Sequence, residues 1–233
     1  MQNMYLLSGG AAQGLVRTMQ PAFEADNGLA LNCTFNAVGA IQQKLVDGAP
    51  CDVLILTRPL IDGLTRSGMV TSGTARDLGT VKTGIAVKTG APHPAVHDSD
   101  SLRAAFRAAS AIYFPDPQLA TAGIHVMKVL TALGLADELA DRLRPYPNGN
   151  TAMKAMAECP DPHAIGSTQV TEILITPGVE LVADLPKEFE LATVYTAAVC
   201  TRANHAQAAQ DFIAALAGDA QAELRAQRGF LPA

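Results

Sequence analysis

The chain has 233 residues, 48% of them hydrophobic, with 17 basic against 22 acidic side chains and a formal net charge of -5. Such a length holds one large domain or two small ones, and the hydrophobic share makes a packed core rather than a disordered chain. Mild acidity without a basic block argues against nucleic acid as a partner, and no run reaches the ~20 apolar residues that a membrane span needs.

The opening Met1-Gln2-Asn3-Met4 has no positive stretch of the kind that starts a signal peptide. The expectation is a cytoplasmic protein, or a periplasmic one from which a leader has been removed. Tyr5 to Leu7 then form a short apolar strand, Ser8-Gly9-Gly10 a tight turn, and Leu15, Met19, Ala22 and Phe23 the apolar stripe of a helix. A helix that opens at a glycine turn points unpaired N–H groups and the positive end of its dipole forward. The turn is therefore either a candidate anion site or a turn and nothing more. The nucleotide fingerprints are absent: Gly9 to Gly14 has no Lys-Ser/Thr after it, and no Gly-x-Gly-x-x-Gly occurs.

The unit repeats twice. Leu31, Cys33 and Phe35 alternate as a strand that ends in Asn36-Ala37-Val38-Gly39-Ala40 and a helix with Ile41 and Leu45. Val53 to Leu56 is a buried strand, followed by Thr57-Arg58-Pro59 and a helix with Leu60, Ile61 and Leu64. In open parallel sheets ligands sit at the carboxyl ends of the strands, so three such turns can serve one place. Glycine punctuation from Gly68 to Gly79 precedes a strand at Ile85 to Val87, a helix from Ser99 and a strand at Ala111 to Phe114. Thr121-Ala122-Gly123 opens a fourth helix of this kind.

Downstream come a short strand at Leu143 to Tyr146 and a helix capped by Asn148-Gly149-Asn150-Thr151. Ala164-Ile165-Gly166 leads through Gln169 to a short helix with Ile173. Strands at Val179 to Val182 and Val194 to Val199 and two Ala-rich helices complete the chain. Cys33, Cys51, Cys159 and Cys200 show no metal-site spacing and no Cys-x-x-Cys, and small buried thiols are the reading preferred over a disulfide or a nucleophile. No cofactor and no metal site are expected.

The order of these parts resembles the two-lobed type II periplasmic-binding-protein-like α/β fold, with a ligand cleft between the lobes, and within it the family of molybdate-binding proteins. The resemblance rests on Ser8-Gly9-Gly10, Val38-Gly39-Ala40, Asp52 to Ile55, and Asp116-Pro117 with Thr121-Ala122-Gly123. It rests also on the closing run from Ala208 to Ile213, Ala220 to Leu224 and Gly229-Phe230. The resemblance implies one lobe from residues 1–83 and 194–233 and a second from 84–193. It implies oxyanion contacts at Ser8, at Val38 or Gly39, at Thr57, Thr151 and Gln169, within a wider set of Gly9, Gly10, Ala40, Arg58, Thr121, Ala122, Gly123 and Asn150. A transporter partner is implied only if the chain is exported.

Where the family offers a hydroxyl in its second loop this chain has Val38 and Gly39, and Gln169 stands where a tyrosine is expected. These replacements, with Arg58 alongside, favour a planar, multiply charged anion such as a di- or tricarboxylate, because a guanidinium fork matches a carboxylate and an amide offers both a donor and an acceptor. A molybdate or tungstate receptor is the other binding reading. The same broad resemblance includes aconitate isomerases, which shift a double bond in a tricarboxylate and require a base. His125, one turn inside the Thr121 helix, and Lys154, just after Thr151, are the catalytic candidates, ahead of Asp116 and His163 in loops. Packing beside Val129 and a solvated surface position are the respective alternatives for His125 and Lys154.

Overall fold

The structure, a computed structural model, describes residues 2–233; Met1, the first residue of the expected first lobe, lies outside the described residues. The chain divides into two compact units, Met1–Val81 with Thr193–Ala233, and Lys82–Ala192.

The first unit starts with the three strand-helix repeats. Strands β1 (Gln2–Gly9), β2 (Leu29–Asn36) and β3 (Val53–Thr57) lead into α1 (Gln13–Asn27), α2 (Val38–Val46) and α3 (Arg58–Arg66), and one tight helical turn at Gly10–Ala12 precedes α1. Both β2 and β3 pair with β1 in parallel. Every residue of β3 is buried, as expected of a strand covered on both faces. β4 (Arg76–Lys88) leaves the unit, and β9 (Ala192–Val199) returns to pair antiparallel with β3, with α8 (Ala206–Ala217) and α9 (Ala222–Gln227) after it. Phe23 of α1 meets Phe212 of α8 at 4.6 Å between ring centroids, which joins the first helix to the last long one in a single core.

The second unit contains α4 (Ser99–Ala108), β5 (Ile112–Pro115), α5 (Thr121–Ala132), β6 (Leu143–Tyr146), α6 (Gly149–Glu158), β7 (Ile165–Gln169), the short α7 (Val170–Leu174) and β8 (Val179–Asp184). β5 pairs in parallel with β6 and β7, while β4 pairs antiparallel with β7 and β8. Side-chain alternation along β5 separates two cores. Ile112 and Phe114 face α4 and α5, through Leu102, Phe106, Val126 and Leu130. Tyr113 faces α6 and α7, through Met153, Met156 and Ile173. Helices α5 and α6 thus lie on opposite faces of one sheet, with both N-termini following the carboxyl ends of its parallel strands.

One expectation is corrected. The stretch from Gly68 to Gly79 is not punctuation throughout, because β4 begins at Arg76. Its early residues are recruited by the far end of the chain: Thr80 and Leu231 exchange both backbone hydrogen bonds at 2.8 Å. Gly79, at φ 143, allows the Leu231 carbonyl to approach where a side chain would stand. Only pairing with a distant segment makes this sequence a strand, so local periodicity does not show it.

A second long-range brace sits under β1. The buried Asp52 carboxylate accepts the backbone N–H groups of Tyr5, at 2.7 Å, and of His205, at 2.9 Å, the latter at the start of α8. Removing it leaves two donors unpaired. Asp52→Ala is expected to lower the unfolding free energy by about 3 kcal/mol in a urea titration, and a loss below ~0.5 kcal/mol would show that water replaces the carboxylate at no cost.

Candidate functional site

The first-turn N–H groups of a helix have no intrahelical acceptor, so what faces each N-terminus decides what the site can bind. In the first unit, Gly9, Ala37 and Thr57 stand at the caps of the Gly10–Ala12 turn, α2 and α3, and none makes a side-chain capping bond. Gly9 and Ala37 have no side-chain acceptor. The Asn36 amide oxygen accepts the Ala37 N–H at 2.9 Å, one residue short of the helix. Strand register places Gly9 beside Asn36 and Ser8 beside both Phe35 and Ile55, so the three helix starts share one edge of the sheet. Gly9 is required there: a Cβ would meet Val38 Cγ1 at 2.8 Å and Tyr195 Cε1 at 3.2 Å.

The side chains of this edge contribute less than the backbone. Ser8 is fully buried and its hydroxyl donates to the Gly9 carbonyl at 2.8 Å. Gly10 and Val38 are buried, and Gly39 and Ala40 are half-buried. Thr57 is buried at the end of β3. The Arg58 guanidinium is engaged within its own unit: Nη1 donates to Asp77 at 2.6 Å and Nε lies 3.5 Å from Asp62. Asp77 also accepts the Thr196 hydroxyl at 2.6 Å. An arginine so held has its fork committed to carboxylates of the protein.

In the second unit, α5 starts at Ala120 without a side-chain cap, and Thr121, Ala122 and Gly123 supply its first turn. The Asp116 carboxylate accepts the N–H groups of Gln118 and Leu119 at 2.7 and 2.8 Å, which folds the chain back toward the helix. A Cβ on Gly123 would overlap the carbonyls of Pro115 and Asp116, so glycine here serves close packing. Further along α5, the half-buried His125 contacts the Phe189 carbonyl through Nε2 at 2.7 Å. Because a carbonyl only accepts, Nε2 carries the proton and Nδ1 holds the lone pair in the neutral ring.

Helix α6 is different. Asn148 caps it by accepting the Thr151 N–H at 2.9 Å, and the Thr151 hydroxyl donates to the Asn148 carbonyl at 2.8 Å. Behind that cap lies Glu172, buried, which accepts the Thr168 hydroxyl at 2.6 Å, while the nearby backbone N–H groups of Asn150, Gly149 and Gln169 favour its charged form. Its carboxylate occupies the N-terminus of α6 from inside the protein. Gly149 is glycine because a Cβ would overlap Glu172 and Thr168. The Asn150 amide donates to the Thr176 hydroxyl at 3.1 Å, and Lys154 is exposed on the helix. Burial pushes the Glu172 carboxyl up to about 7, against the pull of its hydrogen bonds.

Gln169, where β7 runs into α7, is 2% exposed, and neither its amide oxygen nor its amide nitrogen has a partner among the described residues. Thr83, its register partner on β4, and the neighbouring Thr171 also hold unpartnered buried hydroxyls. Buried polar groups are nearly always satisfied, so these unpartnered atoms mark a candidate functional site. The structure therefore places Ser8, Gly9, Gly10, Val38, Gly39 and Ala40 along one edge of the first unit, and Thr121 to Gly123 at an uncapped start in the second. His125 and Lys154 fall on helices on opposite faces of the second sheet. Sequence reasoning missed Glu172, although an acidic residue four positions after Thr168 and directly before the apolar Ile173-Leu174-Ile175 was a visible signal. Among the described residues no group of three or more His, Cys, Asp or Glu is arranged to hold a metal ion, and no helix is long and apolar enough to cross a membrane.

Known proteins share this architecture. The family model of bacterial extracellular solute-binding proteins matches residues 4–231. The periplasmic molybdate-binding protein of Azotobacter vinelandii superposes with a TM-score of 0.81 at 18% identity, covering 99% of each chain. A sulfate-binding protein of Mycobacterium tuberculosis gives 0.75 at 17% identity, covering 100% of this chain and 87% of that one. A Pseudomonas aconitate isomerase is 25% identical over 236 aligned positions, 97% of this chain and 87% of its own length. The fold is the two-lobed α/β fold of periplasmic binding proteins.

The elevated Glu172 carboxyl has a consequence for stability. The folded protein holds this proton more tightly than the unfolded chain, whose glutamate titrates near 4.5. The stabilisation it contributes is fully present below about 4.5 and is lost as pH rises through about 7. Glu172→Gln removes the titration while keeping the shape. Between those limits the wild type is expected to lose on the order of 3 kcal/mol more than the variant in denaturant titrations at a series of pH values. Parallel pH profiles for the two proteins would contradict it.

Proposed function

The chain belongs to the bacterial extracellular solute-binding protein family, and on that premise we propose that it binds a small carboxylic acid bearing two or three carboxylates. Charge is met by helix N-termini without side-chain caps, at Gly10–Ala12 and Val38–Ala40 within the first unit and at Thr121–Gly123 within the second, rather than by Arg58, whose fork is taken by Asp77 and Asp62. The observation that carries the reading is Gln169. Its unpartnered amide calls for a ligand with a donor beside an acceptor. A hydroxyl or protonated carboxyl next to a carboxylate supplies both, whereas a deprotonated tetrahedral oxyanion accepts only and leaves the amide oxygen unpaired.

A second reading is favoured by the 25% identical aconitate isomerase. Isomerisation of an unsaturated tricarboxylate needs one base to take a proton from the saturated carbon next to the double bond. The electron pair spreads over the allylic system into the adjoining carboxylate, and a proton returns at the far carbon. Helix N-termini stabilise the charge that builds up in between. His125 fits the base by its Nδ1 lone pair, with Lys154 as the alternative. His125→Ala is then expected to abolish turnover while leaving binding within a few-fold. As a receptor, the same protein delivers its ligand to a membrane transporter and needs no base.

The test is a thermal-shift series with citrate, the two aconitate isomers, molybdate, tungstate and sulfate, each carboxylate that binds being followed by proton NMR in deuterated buffer. A tricarboxylate is expected to raise the midpoint and the tetrahedral oxyanions to leave it unchanged. Gln169→Leu is expected to abolish that rise and, because it removes an unpaired buried amide, to make the unliganded protein more stable by about 1 kcal/mol. A rise with molybdate or tungstate alone overturns the carboxylate reading. A tricarboxylate that binds with no deuterium uptake or isomer conversion leaves the receptor reading standing and removes the isomerase.

A further inference from the structure

Two of the four cysteines meet at the end of the β3–β9 ladder away from the helix starts. Cys51 immediately precedes Asp52 and β3, and Cys200 immediately follows β9. Val53 pairs with Val199, and the Cys200 N–H donates to the Asp52 carbonyl at 3.1 Å, one residue from Cys51. Cys51 donates to the Val53 carbonyl at 3.2 Å. They are 6% and 3% exposed, and both are unbridged.

Both also line one cavity of about 330 Å³, together with Met69, Ser67, Thr201 and Arg202. Ser67, Thr201 and Arg202 are exposed, so the cavity gives solvent a path to the sulfurs. No carboxylate lines it, and Arg202 sets a positive charge at its rim. A small reagent that carries both a disulfide and carboxylates fits that entrance. Cys33 on β2 and Cys159 after α6 line no such shared cavity among those described.

We propose that Cys51 and Cys200 are a modification site, a dithiol that a small acidic disulfide converts reversibly into an intramolecular disulfide. One thiol loses its proton and its thiolate attacks a sulfur of the oxidant, forming a mixed disulfide and expelling the oxidant's other half as a thiolate. The second protein thiolate attacks the protein sulfur of that mixed disulfide and expels the remaining half. The protein loses two electrons, the oxidant gains them, and the two protons end on the two released thiols. The bridge fastens the start of β3 to the end of β9, the strand by which the chain re-enters its first unit. The neighbouring thiol and burial hold the Cys51 proton far above the ordinary thiol range, so closure is slow at neutral pH and speeds up as pH rises.

The experiment uses the full chain, purified reduced and incubated with oxidised glutathione at neutral and mildly alkaline pH, then blocked with an alkylating agent and mapped by peptide mass spectrometry. Two of the four thiols are expected to disappear into a Cys51–Cys200 linked peptide, faster at the higher pH. Dithiothreitol is expected to restore them, and the thermal midpoint is expected to rise on closure. Cys200→Ala is expected to lose the linked peptide and leave Cys51 as a glutathione mixed disulfide. Should that variant not fold, the wild-type map decides by itself. Four intact thiols in the native protein, while the urea-unfolded chain oxidises, would overturn the proposal, as would a link through Cys33 or Cys159.

Discussion

Every helix that follows a strand in this protein must dispose of first-turn N–H groups that the helix itself cannot satisfy, and the chain treats its helices in two ways. Helices α4 and α6 are closed by the side chains of Asp98 and Asn148, and α6 also receives Glu172 from behind. The N–H of His205, one residue before α8, goes to Asp52, as that of Ala37 before α2 goes to Asn36. The Gly10–Ala12 turn, α2, α3 and α5 receive no side-chain cap. These four starts follow the carboxyl ends of parallel strands, where oriented dipoles act on a ligand most strongly. On the proposed function, anion binding is prepared by leaving some helix ends unfinished.

The same distribution decides which charges the protein keeps for itself. Arg58 looks available in the sequence, but Asp77 and Asp62 hold it. Glu172 looks like one more polar residue in a short helix, yet it is a buried carboxyl at the start of α6 whose proton the fold holds up to about 7. Neutral backbone donors and the Gln169 amide remain. A site of that kind discriminates by donor and acceptor pattern more than by net charge, because an unmatched amide inside a buried site costs more than a misplaced surface charge.

Much of the fold was legible because it rests on local signals. Continuous apolar runs gave β3 and β5, glycine and threonine turns gave the starts of α1, α3 and α5, and Asn148 with Thr151 gave the cap of α6. What escaped depends on partners far away in sequence. The first part of β4 is strand because β9, from near the other end of the chain, pairs with β4, and Leu231 bridges Thr80. Arg58 is held by a residue 19 positions on, and Asp52 braces His205 across 153 positions. Asn150 and Thr151 are ligand contacts that the family resemblance implies. Thr151 also closes the local cap with Asn148, and the Asn150 amide engages Thr176, a contact 26 positions away that spacing does not reveal.

The central claim is that ligand anions are received by backbone N–H groups of the uncapped helix starts, while α6 is already served by Glu172. A backbone amide NMR titration with a tricarboxylate measures this directly. The amide protons of Gly10–Ala12, Val38–Ala40 and Thr121–Gly123 are expected to move downfield together on binding, with Gly149 and Asn150 nearly unchanged. Large movements at Gly149 and Asn150 with stationary signals at the other three starts would contradict it.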